Sequence, residues 1–415
     1  MVMDSSGPPQ KGPLNGVRIV DLSTVVFAPY ATQILGDMGA DVIKVEGPKQ
    51  NEKGDGGDNM RYAGSSPAEG LGPIFMNLNR NKRSICLNLT LEQDRATLNE
   101  LLETADVFVS NVRMAALGRL GFGYPQVAAV NPGIIYAHAA GYDSDGPHAA
   151  DPAYDDLIQA RSGLADLHSR VGGGGPSYLP SLVADKVSGL YLSQAVLAAL
   201  YHRQSTGEGQ FVEVPMLETI TGFALVEHFF NQVYSPPTGD WGYPRVLSRN
   251  RQPFPTKDGH VAMLPYSTEQ WQSIFEFSGR AIDIEGDPRY ATFAMRTRNI
   301  DDLYGMLAQI SVEKTTDEWI KLLGAIGVPN ARVNRLSDLL ADEQLSAVKL
   351  FERRSHPQAG DYYAIRSPMK FSKTPMTIRR DPPTLGEHTT EIRSELEVRR
   401  LTAEQARIPS EPEPQ

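Results

Sequence analysis

The chain has 415 residues, 40% of them hydrophobic and 22% charged. That is enough apolar material for a sizeable core and enough length for two domains. Fifty acidic against forty basic residues leave a formal net charge of −10, which excludes a general binder of nucleic acid or anionic membrane. No apolar run reaches the ~20 residues of a membrane span, and the polar start up to Gly12 does not read as a signal peptide. A single cysteine, Cys86, excludes an intrachain disulfide framework and fits a reducing, cytoplasmic setting.

Residues 1–13 and 406–415, rich in proline and polar residues, are expected to be disordered tails. Between them, Gly16–Leu22 reads as a strand, Pro29–Met38 as a helix stopped by Gly39, and Asp41–Glu46 as a buried parallel strand. Ile85–Leu89, Asp106–Ser110 and Gly133–Ala137 predict further strands, and Leu91–Thr104 a helix with Thr90 as its cap. Cys86 lies within the first of these strands and reads as a small buried hydrophobe rather than a nucleophile. A long helix is expected over Leu190–Gln204, a strand over Gln210–Val214 and a second long helix over Met216–Gln232. Strands alternating with helices predict a doubly wound, Rossmann-like α/β domain.

Composition shifts at the linker Ser235–Asp240. Phe254–Met263 predicts a hairpin turning at Lys257-Asp258-Gly259, and helices near 268–278, 298–311 and 315–326 complete a smaller α+β domain. A helix near 336–347 and strand-like, proline-rich pieces return the chain. The expected layout is a large domain over 14–234, linker and small domain over 235–335, and a return to the large domain over 336–405.

The first strand–helix–strand unit resembles half of a nicotinamide-binding fingerprint, but its turn, Ser23 to Pro29, carries no glycine for a pyrophosphate to approach. The glycine-rich run Gly172–Gly175 opens no obvious helix and reads as a loop. Dinucleotide binding is set aside.

Several segments, in order, carry a more specific pattern: Leu14–Leu22 with Gly36–Glu46, Asn79–Ile85, Ala105–Asn111 with Leu117–Gly121, Gly141–Pro147 through Tyr154–Ala160, Thr206–Gln210 and Leu385–Thr389. Together they resemble the class III CoA-transferases, a family that includes formyl-CoA and carnitine CoA-transferases and the α-methylacyl-CoA racemases. The resemblance runs from about residue 14 to 396. It implies an acyl-CoA:carboxylate CoA-transferase with coenzyme A as substrate, no tightly bound cofactor and no metal. It also implies a homodimer of two chains threaded as interlocked rings.

By the same resemblance the catalytic aspartate is Asp185, in Val183-Ala184-Asp185-Lys186-Val187-Ser188-Gly189. From the residues alone an N-cap role is equally open, and a helix N-terminus keeps a carboxylate ionised. The family mechanism runs through a mixed anhydride and an aspartyl-CoA thioester. Positions matching the family's CoA contacts are Val26, Phe27, Leu87, Asn88, Asn111, Val112, Arg113, Arg119, Ala153, Tyr154 and Asp155. Arg119 is the leading cation for the CoA phosphates, whereas Lys82 and Arg83 read as solvated surface.

Departures from the family pattern are informative. Gly47-Pro48 stands where many relatives carry a further cation, and no tetraglycine run occurs between 236 and 330. The racemase branch places a histidine where this chain has Tyr154, a poor match for proton transfer near neutrality. His138, His148 and His168 read as surface or core residues. The alternatives to a transferase are a racemase-like isomerase and a non-catalytic CoA-binding protein; retention of Asp185 argues against the latter.

Overall fold

The computed structural model describes residues 12–49, 55–172, 174–280 and 282–407, with the side chains of 406 and 407 excepted. Most of the two expected tails, 1–11 and 408–415, lies outside the described residues. Gly12 packs so tightly on Met38 that a Cβ there would sit 2.2 Å from the Met38 carbonyl oxygen. Ala406 and Arg407 continue a helix.

Two units emerge from the pattern of contacts. The larger gathers the described residues through Gln159, Pro180–Ile220 and those from Val348 onward, and the smaller gathers Ala160–Leu179 and Thr221–Ala347.

The larger unit is built on six parallel strands: β1 Arg18–Leu22, β2 Asp41–Glu46, β3 Lys82–Cys86, β4 Val107–Ser110, β5 Ile135–Ala140 and β6 Gln210–Pro215. Their order is β3-β2-β1-β4-β5-β6, a doubly wound arrangement whose direction reverses beside β1. Between β1 and β2 runs α1, Phe27–Asp37; it carries Pro29 in its first turn and is followed by Gly39 at φ +108°. The short helix α2, Pro73–Leu78, precedes β3, and α3, Glu92–Thr104, follows it. Met114–Leu120 (α4) and Tyr124–Val130 (α5) lead to β5. Beyond β5 come α6, Asp155–Arg161, then α8, Val183–Thr206, and, after β6, α9, Met216–His228; α7, Leu164–Gly172, and α9 from Thr221 onward belong to the smaller unit.

Strand parity divides the sheet. Val20, Phe108 and Tyr136 share one register row and join Leu98, Leu101, Val127 and Ile392 in a fully buried cluster on one face. On the other face α1 packs against α8.

Charges are buried under the start of α1. Lys44 pairs with Asp58 at 3.0 Å and Lys82 with Asp21 at 3.1 Å, all four fully buried. Arg61 Nε donates to Glu46 at 2.8 Å. Lys82 and Arg83 are therefore not solvated surface: Lys82 also donates to the Pro29 carbonyl and Asn79, and Arg83 holds Asp41 and Glu395. Partners on separate segments compensate both cations, which is what burial of a charge requires.

In the smaller unit β7, Phe254–Pro255, and β8, His260–Met263, form the expected hairpin. Helices α10, Thr268–Phe277, α11, Phe293–Arg298, α12, Ile300–Ser311, and α13, Thr316–Ala325, surround it, and β9, Asn330–Arg332, pairs antiparallel with β8. Capping boxes at Ser267–Gln270 and Thr315–Glu318 start α10 and α13. The core holds Trp271, Trp319 and Leu307. A 3-10 turn at Leu336–Ala341 and the short α14, Glu343–Ala347, replace the single helix expected there.

The larger unit closes with the hairpin β10, Phe351–His356, and β11, Gly360–Ile365, and then α15, Thr389–Arg407, a helix that the sequence pattern did not predict. Two further corrections concern helix starts. Leu91, not Thr90, precedes α3, and the Thr90 hydroxyl instead donates to Asn88. α8 begins seven residues before the expected Leu190.

Candidate active site

Asp185 is the third residue of α8, and the capping position belongs to Leu182, which lends no side-chain bond. Asp185 is thus not an N-cap. The residue is 8% exposed, and its carboxylate oxygens accept no hydrogen bond among the described residues. One turn further on, Gly189 lets α8 approach the start of α1. A Cβ at Gly189 would lie 2.8 Å from the Phe27 carbonyl oxygen and 3.1 Å from the Tyr30 ring. Between the two, Ser188 is fully buried and its hydroxyl oxygen has no partner among the described residues.

Asp155 opens α6 and supports this turn. One carboxylate oxygen accepts the Asp185 backbone N–H at 3.0 Å; the other accepts Gln159 Nε2 at 2.6 Å. Gln159 also donates to the Ser181 carbonyl at 3.3 Å, so α6 and the approach to α8 are tied at two points. The electrostatic outcome opposes the helix-field expectation. Burial, with Asp155 and then Asp156 adding like charge, pushes the Asp185 carboxyl up to about 7. It is half protonated near neutrality rather than a ready anion.

The second cluster surrounds the turn from β1 to α1. Val25 adopts φ +73°, an outlier for a β-branched residue. Four groups fix it. Lys44 Nζ donates to the Ser23 carbonyl at 2.7 Å, Asp58 accepts the Val25 N–H at 3.0 Å, and Asn111 takes the Thr24 N–H and donates to the Thr24 carbonyl at 3.1 and 2.8 Å. The turn delivers Val26 and Phe27, both buried, to the open first turn of α1, which has no side-chain cap and no acidic residue of its own.

The remaining CoA-contact positions divide. Leu87 is a core side chain, Val112 packs at the edge of the same cluster, and Asn88 is spent on Thr90. Arg113 and Arg119 are exposed on α4 and its cap, with no side-chain partner among the described residues. Ala153 lies so close to Gly141 that a Cβ there would meet it at 2.1 Å. Tyr154 is 63% exposed.

Cys86 is half-buried, and burial raises its thiol above the ordinary value. His148 pairs with Asp151 at the surface, His168 is exposed on α7, and His138 is buried in β5 with Nδ1 unpartnered among the described residues. Gly172 closes α7, and Gly173 lies outside the described residues. No group of three or more His, Cys, Asp or Glu side chains arranged for a metal occurs among the described residues. None of the described helices is long and apolar enough to cross a membrane.

Lys44, Asp58 and Gln159 were not singled out from the sequence. A signal existed for the first two: Lys44 and Glu46 interrupt an otherwise apolar central strand, and buried charges demand partners.

The chain thus carries a doubly wound sheet with a buried, unbonded carboxylate on a helix beside the first strand-to-helix turn, and open α/β sheets of this class bind ligands outside the carboxyl ends of their strands. The chain belongs to CoA-transferase family III, whose profile matches residues 14–389, and it is a class III CoA-transferase. It is 30% identical over 387 residues to human succinyl-CoA:glutarate CoA-transferase, covering 92% of this chain and 86% of that protein. A probable fatty acyl-CoA transferase of Mycobacterium tuberculosis is 32% identical over 400 residues, covering 93% and 98%. The crystal structure of a CAIB/BAIF family protein from Brucella suis superposes with a TM-score of 0.78 at 29% identity, covering 93% of this chain and 100% of that one.

Proposed function

We propose that the chain transfers CoA from an acyl-CoA to a free carboxylic acid with Asp185 as the covalent nucleophile. The observation that carries this is the Asp185 carboxylate itself, buried and free of hydrogen-bond partners among the described residues, while Asp155 accepts only the backbone N–H of the same residue. A structural aspartate in that position would be bonded or paired.

In the ionised form an Asp185 oxygen attacks the thioester carbonyl, and CoA leaves as thiolate, giving a mixed anhydride. The thiolate then attacks the aspartyl carbonyl, the donor acid departs as carboxylate, and an aspartyl-CoA thioester remains. The acceptor carboxylate attacks this thioester, and the returning thiolate releases the new acyl-CoA and the free Asp185 carboxylate. No step needs ATP, a metal or a tightly bound cofactor. Desolvation strips water from the nucleophile in advance, and alignment of the bound CoA supplies much of the acceleration.

CoA would meet the backbone of Val26 and Phe27 at the open turn of α1, with Arg113 and Arg119 free to take phosphates. Ala153, Tyr154 and Asp155 would line the reacting end. In this reading Leu87, Asn88, Asn111 and Val112 shape the cleft from behind. The active form is an interlocked homodimer, and the single half-buried cysteine suits the cytoplasm. Asp185→Ala should abolish transfer while leaving CoA affinity within about tenfold, or ~1.4 kcal/mol. Robust transfer by that variant would overturn the mechanism.

A second reading has one observation in its favour. A carboxyl titrating at about 7 also suits proton transfer at the α-carbon of an acyl-CoA, as in an isomerase. Tyr154 in place of the racemase histidine argues against it. Enzyme-dependent deuterium uptake by a chiral 2-methylacyl-CoA in heavy water, at turnover rates, would favour the isomerase.

A further inference from the structure

The smaller unit contains an open cavity of about 500 Å³ lined by the hairpin, β9 and α12. Its inner wall is apolar and rigid: Phe254, Met263 and Tyr304 are all buried side chains of that unit's core. Two guanidinium groups, Arg245 and Arg251, line it, and no carboxylate does. In a chain with 50 acidic and 40 basic residues, a cavity carrying two cations and no acid is an uncommon allocation of charge. Arg245 is fixed in place, its Nε donating to the Tyr304 hydroxyl at 3.2 Å. Arg251 is exposed, and its side chain has no hydrogen bond or ion pair among the described residues. Asn330 spends its amide nitrogen on the Val328 carbonyl at 2.8 Å, which leaves its side-chain oxygen as a further polar group at the wall.

We propose that this cavity binds a small organic acid as its free carboxylate, with an apolar body of roughly four to eight carbons, a size suited to a cavity of this volume. The body lies against Phe254, Met263 and Tyr304, and the carboxylate meets the fork of Arg251 with Arg245 behind it. Guanidinium matches carboxylate in geometry as well as charge, and an apolar wall beside it excludes the water that would weaken the pair. A phosphate group alone would use the cations and leave the apolar wall unfilled. The choice of acid rests on reading the chain as acting on carboxylic acids, but the site contains no residue of α8.

The test uses the full chain carrying Asp185→Ala, without CoA, titrated with butyrate, hexanoate and phenylacetate and with the matching alcohols by calorimetry. Saturable binding of the acids, at least tenfold tighter than of the alcohols, is expected. Arg251→Ala should weaken acid binding tenfold or more, with partial recovery in Arg251→Lys, and Ala331→Trp should block the cavity. Arg251 is exposed and unpartnered, so unfolding curves of its variants should match the parent. Equal binding of acids and alcohols, retained binding in Arg251→Ala, absence of saturable binding at millimolar acid, or displacement of the acid by inorganic phosphate would each overturn the proposal. Transfer by the wild-type chain, assayed separately, reports on the catalytic reading alone.

Discussion

Asp185 sits where two effects oppose each other. The first turn of a helix favours a negative charge by a few tenths to one kcal/mol, while burial and the carboxylates of Asp155 and Asp156 disfavour it, and the second group of effects wins. The family resemblance locates Asp185 in the sequence, but this outcome is not legible there, because it depends on Asp155, thirty positions away, closing on the same turn. Nucleophilic transfer should therefore rise with pH through about 7 in the free enzyme. Asp155→Asn removes one like charge, so it should move that midpoint to lower pH; an unmoved midpoint would remove Asp155 from the electrostatic account.

Stability carries the same signature. Below the unfolded carboxyl value, about 3.9, Asp185 is protonated in both states and burial is not penalised. Between there and about 7 only the folded state holds the proton, so stability falls with rising pH by up to about 1.4 kcal/mol per unit. Above about 7 the penalty is constant. Asp185→Asn should accordingly raise the melting temperature at pH 8 and much less at pH 4. Equal shifts at the two values would contradict burial as the cause.

At the scale of elements, the turn between β1 and α1 is shaped by groups that arrive from β2, from the segment after it and from the end of β4. Val25 in a left-handed conformation costs about 1–3 kcal/mol and persists only where its surroundings fix it. Asp58→Ala would leave Lys44 as an unpaired buried cation and should destabilise the fold by about 3–5 kcal/mol, measured by denaturant unfolding. Asn111→Ala loses only the hold on Thr24, and should raise the KM for acyl-CoA several-fold with a smaller change in kcat and stability. A larger loss in kcat than in KM would place Asn111 at the chemistry instead.

The strands were legible because their apolar runs are short and bounded, and all six in the sheet lie within three residues of where they were expected. The start of α8 lies seven residues before its apolar stripe because Asp185, Lys186, Ser188 and Gly189 interrupt the spacing, and Asp185, Ser188 and Gly189 do so at the site itself. α15 was missed for another reason. Among its described side chains only Ile392 and Leu396 are buried hydrophobics, too few to register as a stripe. Its hold comes instead from ion pairs such as Arg83–Glu395 and Arg393–Asp94, which no periodicity announces.

Across the whole molecule, two of the four boundaries between the units fall inside α6 and α9, and the other two lie between elements, after residues 179 and 347. Linker composition marks ends of elements, not cuts within them, which is why 235–240 looked like the boundary and 160–179 looked like part of the larger domain. Large apolar side chains remain uncovered in the single chain: Tyr191 and Tyr201 on α8, Val226 on α9 and Leu336 beyond β9. A second copy of the chain is the proposed cover. If the two are interlocked, dilution alone does not separate them, so sedimentation at nanomolar concentration should still give a dimer. A folded, active 45.5 kDa monomer would contradict the assembly and leave Asp185 untouched.

A covalent bond at Asp185 is the central step of the proposed transfer, and peptide mass spectrometry after brief incubation with an acyl-CoA and acid quench tests it most directly. The peptide carrying Asp185 should gain the mass of CoA less one water, the gain should disappear on adding an acceptor acid, and Asp185→Asn should never show it. Turnover with no adduct on that peptide, or an adduct on any other residue, would contradict the account.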